Sequence, residues 1–366
     1  MKRLIGAALV IGMLLISMPG ARAVGTSASS AILMEAESGR ILYGENIRER
    51  RLIASTTKLM TALVALESGH QLDEVVTVDA AWVGVEGSSL YLQAGEEITL
   101  EALLYGLLLR SGNDAALAIA GYCGESVEGF VAQMNEKAVQ LGMVDSHFSN
   151  PNGLNADDHY ASAYDMALLA RACLENETLR TITATKSITL GNRTFTNHNK
   201  LLWRYEGCIG MKTGYTEKAG RTLVSAAERD GMTLICVTLN DPDDWADHTA
   251  LFQYGFQTYQ RKELAVAGEI VGRLPVAGGL LPTCPVILGE SAALCVASGE
   301  TVEREVLLLQ TALEAPVSAG DPVGEVIYSC DGKEVCRIPL LAGADISDAR
   351  ALEQGRLQRF LRDLMG

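Results

Sequence analysis

The sequence predicts a mixed α/β domain, with helices surrounding an antiparallel sheet, followed by a small all-β sandwich domain. Three observations carry this. Between residues 56 and 175, apolar residues recur at the three-to-four spacing of buried helix faces. From Arg221 the pattern becomes that of a strand hairpin around Arg229-Asp230-Gly231, with an Asp-Gly turn signal. Beyond about residue 262, Pro, Gly and Val punctuate short alternating runs, as in a domain of short strands. The 366 residues suffice for two domains of ordinary size.

The elements follow in chain order. AILMEAESGRILYGENI reads as a strand, a turn at Gly39 and a second strand. Thr56 to Leu66 has apolar residues at 59, 60, 63, 64 and 66, a helical spacing. LEALLYGLLL, AALAIAGYCG, VEGFVAQMNEKAVQLGM and DMALLARACL continue as helices. RTLVSAA and TLICVTL are the arms of the hairpin, and ADHTALFQYGFQTY is a closing helix. The runs EIVGRLPV, PVILG, EREVLLLQ, GEVIYSC and EVCRIPLL supply the strands of the second domain. The domains are expected at residues 24–262 and 263–345.

Both chain ends carry further signals. Residues 1–23 have the three parts of a secretory signal: Lys2 and Arg3, an apolar run from Leu4 to Ile16, and the small-residue site Ala21-Arg22-Ala23. The run is too short to span a bilayer as a stable helix. Cleavage is expected near Ala23, giving an exported, extracytoplasmic protein at the outer face of the cytoplasmic membrane or in the cell wall. Removing Lys2, Arg3 and Arg22 and no acid would move the formal charge from −15 to −18. Such a surface repels phosphate backbones, which argues against a nucleic-acid partner. Residues 346–366 form an amphipathic segment with Leu357, Phe360, Leu361, Leu364 and Met365 on one face. Two readings fit it equally: a helix in a membrane interface, and a terminal helix packed on its own β domain. Eight cysteines without a C-x-x-C spacing leave both local bridges (Cys284/Cys295, Cys330/Cys336) and free buried thiols open.

Three short motifs occur in order: Ser55-Thr56-Thr57-Lys58, Ser111-Gly112-Asn113 and Lys212-Thr213-Gly214. Each alone has a plain structural reading, as a helix cap, a turn before a helix and a turn before a strand. Together, their order, intervals and settings make coincidence improbable. A serine hydroxyl is a poor nucleophile at neutral pH and needs an adjacent base. Residues three apart share a helix face, so Lys58 can reach the Ser55 hydroxyl. A free lysine is protonated at pH 7, but burial and a neighbouring cation both lower its pKa.

The motif set resembles that of penicillin-binding proteins and class A β-lactamases, with Gly112 where their Ser-Asp-Asn motif has Asp. ILMEAESGRILY, the NPNGL of residues 150–154 with Tyr160 and DMALLA after it, MKTGYTEKAG, and APVSAGDPVGEV in the second domain extend the resemblance. Over nearly all of the mature chain, the sequence resembles the D-alanyl-D-alanine carboxypeptidases of the low-molecular-mass penicillin-binding protein family. The resemblance implies a β-lactamase/transpeptidase-like catalytic domain and, with it, convergence of the three motifs. It implies Ser55 as acyl-ester nucleophile, Lys58 as general base and Ser111 as proton relay. Asn113, Lys212, Thr213 and Gly214 would bind substrate, and the backbone N–H groups of Ser55 and Tyr215 would form the oxyanion hole. Peptidoglycan stem peptides ending in D-Ala-D-Ala would be the substrate, β-lactams would acylate Ser55, and neither metal nor cofactor would be required.

Some residues depart from the family pattern. Cys208 stands where members more often have Asp or another small residue. NDPDDWADH lacks an arginine that some relatives carry there, and His198 in NHNKLLW would be a site-edge residue in the family's arrangement, with a structural hydrogen-bonding role the favoured reading. A class A-like β-lactamase is the alternative enzyme. Against it stand Ser-Gly-Asn in the middle motif, no match to a deacylating glutamate motif, and the appended β domain. A catalytically idle wall-binding module is the alternative from another class, opposed by three intact motifs. The five histidines form no H-E-x-x-H, and Ser55 lacks a G-x-S-x-G setting.

Overall fold

The computed structural model describes residues 24–349 together with Phe360, Leu361 and Leu364. The expected export signal and most of the amphipathic terminal segment lie outside the described residues. Strands β1 (Ser30–Glu35) and β2 (Ile41–Glu45) form the first hairpin. A 3-10 turn over Ala54–Thr57 leads into α1 (Lys58–Glu67). A small hairpin of β3 (Val75–Thr77) and β4 (Glu97–Thr99) precedes the helices α2 (Leu100–Leu109), α3 (Asn113–Cys123), α4 (Val127–Gln140), α5 (Ala163–Glu175) and α6 (Glu177–Ala184). A second small hairpin, β5 (Ser187–Leu190) and β6 (Arg193–Thr196), and the short α7 (Leu201–Arg204) follow. The domain closes with β7 (Cys208–Thr216), β8 (Gly220–Arg229), β9 (Met232–Leu239) and α8 (Asp244–Thr258).

The principal sheet has five strands in the order β2-β1-β9-β8-β7 and is antiparallel throughout. It is buried on both faces, and the period-two pleat sorts its side chains. Ile32, Met34, Val224, Ala226, Ile235 and Val237 join one core with the helices α1 to α5. Leu33, Leu223, Ala227, Leu234 and Cys236 join a second core with Leu251 and Phe252 of α8. Strand β7 is therefore an edge, and edge strands leave alternate backbone groups unpaired on their open side. That open side runs past the 3-10 turn carrying Ser55.

Helix ends are set by the residues that favour caps. Thr99, Ser126, Ser162 and Asn176 accept from backbone N–H groups at the starts of α2, α4, α5 and α6. The start of α1 is different. Thr57 occupies its N-cap position and makes no capping bond, and Ser55 lies in the preceding 3-10 turn. The plain helix-cap reading of Ser55 fails here.

The second domain contains β10 (Tyr259–Ala265), β11 (Ile270–Ala277), β12 (Thr283–Leu288), β13 (Ala292–Ala297), β14 (Val302–Leu308), β15 (Leu313–Glu314), β16 (Pro322–Cys330) and β17 (Lys333–Ala342). A six-stranded sheet in the order β14-β16-β17-β12-β11-β15 packs with a two-stranded sheet of β10 and β13. This domain begins at Tyr259 rather than residue 263, because the polar run QRKE gives β10 no compositional mark. Ile346, assigned from sequence to the terminal segment, is instead buried in the β-domain core and bridges to Val317. Arg40 bonds both Glu300 and the Cys295 carbonyl, and Arg261 pairs with Glu37, so ion pairs join the domains. Cys295 also packs its sulfur against Met232 at 2.9 Å.

All eight cysteines are free thiols. Cys284 is in the β-domain core while Cys295 faces the catalytic domain, so the first candidate bridge is not formed. No described helix is long and apolar enough to cross a membrane.

Candidate active site

The site begins at a strained turn. Ala54 has φ 47°, a left-handed conformation uncommon for a residue with a Cβ. The hydroxyl of Thr56 donates to the Ile53 carbonyl at 2.6 Å, and that of Thr57 to the Ala54 carbonyl at 2.9 Å. The Ser55 hydroxyl takes no part in this bracing. It lies 2.9 Å from Lys58 Nζ.

Lys58 is completely buried, and among the described residues its Nζ has three hydrogen-bond neighbours: Ser55 Oγ, Asn113 Oδ1 at 2.7 Å and the Asn152 carbonyl at 2.6 Å. Both of the latter can only accept. The Asn113 amide is oriented because its Nδ2 donates to the Glu86 carbonyl at 2.6 Å. A neutral amine has two hydrogens and one lone pair. The two hydrogens go to Asn113 and Asn152, which leaves the lone pair for the Ser55 O–H. An ammonium has no lone pair and donates to all three. Burial first, and the Lys212 cation second, lower the Lys58 pKa well below the ordinary lysine value, against an opposing contribution from Asp114.

The middle motif is held from below. Asn113 opens α3, and its backbone N–H donates to the Ser88 carbonyl at 2.7 Å. The buried Asp114 carboxylate accepts from the Ser89 hydroxyl and from the N–H groups of Leu90, Leu92 and Ala115. It thereby fixes the loop that walls the cleft. Ser111 is buried with φ 64° and faces the same cleft as Ser55.

On the opposite wall, β7 contributes the third motif. Lys212 is buried and donates to the Thr213 carbonyl at 2.8 Å, and burial lowers its pKa to about 7. Gly214 lets β7 lie close against the nucleophile turn. A Cβ there would lie 2.3 Å from Thr222 Oγ1 and 3.0 Å from Ser55 N. The space is used by the protein itself, to bring the edge strand against the nucleophile turn. The cleft of about 290 Å³ is lined by Ser55, Ser111, Thr213, Gly214 and Tyr215, together with Ser88, His198, Lys200, Arg221, Asp244 and Trp245.

All the motif residues expected from sequence are thus in one region. Ser55, Ser111, Thr213, Gly214 and Tyr215 line the cleft, Lys58 and Asn113 lie behind Ser55, and Lys212 is close enough to act on Lys58. The Asn113 side chain, expected to contact substrate, accepts from Lys58 through Oδ1 and donates one Nδ2 hydrogen to the Glu86 carbonyl, and a primary amide keeps a second N–H beyond these two bonds. His198, given both a site-edge and a structural reading, lines the cleft, and burial and the nearby Lys212 and Arg110 lower its pKa to about 4. Cys208 lies at the far end of β7 from Lys212, with burial pushing its thiol up to about 11.

The groups missed include the Asn152 carbonyl, His159, Ser88, Lys200, Arg221, Asp244 and Trp245. Arg221 stands directly across from Tyr215 in the β7–β8 ladder. Its Nη2 donates to Asp244 at 2.6 Å, and its guanidinium lies 5.5 Å from the Trp245 ring centroid. The short turn after Tyr215 would have placed it there, had the register been counted.

Comparison with known proteins agrees with this geometry. Residues 18–243 match the family profile described as D-alanyl-D-alanine carboxypeptidase, and residues 259–348 match the penicillin-binding protein 5 C-terminal domain. The chain belongs to the D-alanyl-D-alanine carboxypeptidase family. It is a serine-type carboxypeptidase of a family that acts on peptidoglycan peptides and binds β-lactams. The carboxypeptidase is 32% identical to D-alanyl-D-alanine carboxypeptidase DacF of Bacillus subtilis, over 95% of this chain and 96% of that one. It is 31% identical to DacA of Escherichia coli K12, over 88% and 84%. Among solved structures, penicillin binding protein 5 of Haemophilus influenzae superposes with a TM-score of 0.78 at 29% identity, covering 88% of this chain and 98% of that one.

Proposed function

We propose that Ser55 is the nucleophile and Lys58 its base in removing the terminal D-alanine from stem pentapeptides. The observation that carries this is the three-way coordination of the buried Lys58 amine, which reserves its lone pair for the Ser55 hydroxyl. Lys58 takes the Ser55 proton as Oγ bonds to the carbonyl of the D-Ala-D-Ala bond. The oxyanion is held by the N–H groups of Ser55 and Tyr215. Ser111 passes a proton to the leaving amine, D-alanine departs, and water hydrolyses the acyl-ester to restore Ser55 and the shortened peptide. Lys212 and Thr213 favour the anionic end of the substrate, and Gly214 keeps β7 close to Ser55. Asn113 serves by holding the base, with its amide fixed between Lys58 and Glu86.

Labelled penicillin should attach covalently to the wild type with one label per chain and not to Ser55→Ala. Labelling that survived this change would place the nucleophile elsewhere. Release of D-alanine from a pentapeptide should be lost in the same variant.

Arg221 is our choice for the terminal carboxylate. It lines the cleft directly across the ladder from Tyr215, whose N–H is the second oxyanion donor, and guanidinium forks match carboxylates. Arg221→Ala should lower kcat/KM for the pentapeptide by about 10- to 100-fold, mostly through KM, as loss of a charge-assisted bond does. An unchanged KM would assign the carboxylate to Lys200.

Export rests on residues 1–23, with a mature start after Ala23, and the β domain and terminal segment would set the site's distance from the membrane surface.

A further inference from the structure

The Ala54–Ser55 peptide unit has an unusual support outside the three motifs. Its carbonyl oxygen accepts from the Thr57 hydroxyl at 2.9 Å, and Thr57 Oγ1 lies 2.7 Å from His159 Nε2. The other ring nitrogen, Nδ1, accepts from the Ser149 backbone N–H at 3.0 Å. This bond settles the direction of the whole chain. A nitrogen that accepts carries no hydrogen, so in the neutral ring the hydrogen is on Nε2. Nε2–H therefore donates to Thr57 Oγ1, and the Thr57 hydroxyl passes its own hydrogen to Ala54 O. His159 is buried with Phe148 edge-on at 5.8 Å between ring centroids. Burial, with smaller contributions from His147 and Lys58 against Asp158, lowers its pKa to about 4, so the ring is neutral at ordinary pH.

The carbonyl at the end of this chain shares a planar trans peptide with the Ser55 N–H, so fixing one fixes the other in the opposite direction. We infer that His159, acting through Thr57, is the positioning residue that aims the Ser55 N–H into the cleft as an oxyanion donor. The left-handed φ of Ala54 is the conformation being held, and such conformations persist where surrounding contacts over-determine them. This inference rests on the proposal that Ser55 and its N–H carry the reaction.

Two pairs of variants separate positioning from general support. Glutamine places an amide N–H2 near the position of Nε2, whereas asparagine places its amide near Nδ1. His159→Gln should therefore restore the donor to Thr57, and His159→Asn should lose it while keeping an acceptor for Ser149. Relative to wild type and per folded molecule, penicillin acylation should slow about 10²-fold in the Asn variant, the loss a misplaced catalytic donor causes, and stay within about threefold of wild type in the Gln variant. KM for the pentapeptide should stay within about threefold in both. Thr57→Val and Thr57→Ser should divide in the same way, and this pair stands if a His159 variant does not fold. Equal slowing of Asn and Gln, or a Val variant as fast as Ser, overturns the inference. Crystal structures of the four variants give a readout that needs no reaction. The Ala54–Ser55 peptide should keep its orientation in the Gln and Ser variants and rotate in Asn and Val. An unrotated peptide in both Asn and Val overturns the inference even where wild-type Ser55 is acylated. Absence of label on wild-type Ser55 sinks the functional reading instead, while the peptide orientation still decides this one.

Discussion

Lys58→Met is expected to slow acylation by penicillin about 10³- to 10⁴-fold while leaving the protein folded. The size follows from the loss of a positioned general base. No other described side chain is in hydrogen-bond contact with Ser55 Oγ, so no second base stands ready. Stability should change by less than about 3 kcal/mol, because two effects oppose each other. The Asn113 and Asn152 oxygens lose their donor, which costs about 1–3 kcal/mol for each unsatisfied group. The desolvation that lowers the lysine's pKa is removed at the same time. Stopped-flow acylation and thermal unfolding of the variant measure the two quantities separately. A variant that acylated within tenfold of wild type would remove Lys58 from its role.

The same electrostatics gives the pH profile a defined shape. Below the lowered Lys58 pKa its ammonium donates to all three neighbours and cannot accept the Ser55 proton. The acylation rate should therefore rise with pH on the acid side. Lys212, with a pKa of about 7, should supply the alkaline decline as the cleft loses its cation. The two amines interact, so the limbs belong to the pair. Lys212→Gln should abolish the alkaline limb and move the acid limb to higher pH, since removing a neighbouring cation raises the Lys58 pKa. Both lysines also link to stability. Their folded pKa values lie below the unfolded ones, so the unfolded chain binds more protons, and stability rises with pH. For Lys212 the window runs from about 7 toward its ordinary value of 10.5.

The sequence made most of this site readable because its parts are local. Ser55 and Lys58 are three residues apart, and a helical turn carries that spacing into contact. The Asp230-Gly231 turn between RTLVSAA and TLICVTL likewise announced a strand hairpin. Contacts made across long chain separations were silent. Asn152 and His159 reach the nucleophile turn over 94 and 102 residues, through a loop whose own sequence reads as a turn. Arg221 was overlooked because its partner Tyr215 is defined by register, not by motif. The hairpin of β5 and β6 escaped notice because each strand is only 4 residues long, too short for the alternation in SITL to stand out from a loop. Ala54 shows the limit most plainly. Alanine favours helix, and nothing in its identity predicts a left-handed φ. Its neighbours impose it.

Gly153→Ala tests how tightly those neighbours fit. Gly153 has φ +85°, and a Cβ added to it would lie 2.0 Å from the Ala54 carbonyl oxygen and 2.9 Å from Thr57 Oγ1. The first contact is with backbone, which no rotamer change can relieve. Gly69, with φ +88° and nothing within 4 Å of its added Cβ, supplies the control. Gly69→Ala should cost about 1–2 kcal/mol, the penalty of the left-handed backbone alone. Gly153→Ala carries that penalty and the overlap, so it should destabilise by at least about 3 kcal/mol, or about 6–12 °C in Tm for a domain of this size. Displacement is the alternative to unfolding. If the Ala54 carbonyl moves aside to make room, the Ser55 N–H on the same peptide must turn with it, and acylation per folded molecule should fall by about 10²-fold. Stability and rate thus share one steric conflict, and the variant cannot escape both. A Gly153→Ala protein as stable as the Gly69→Ala control and acylated at the wild-type rate would mean that the turn before Ser55 tolerates movement. The tight fit among Ala54, Thr57 and Gly153 would then have no part in presenting the nucleophile.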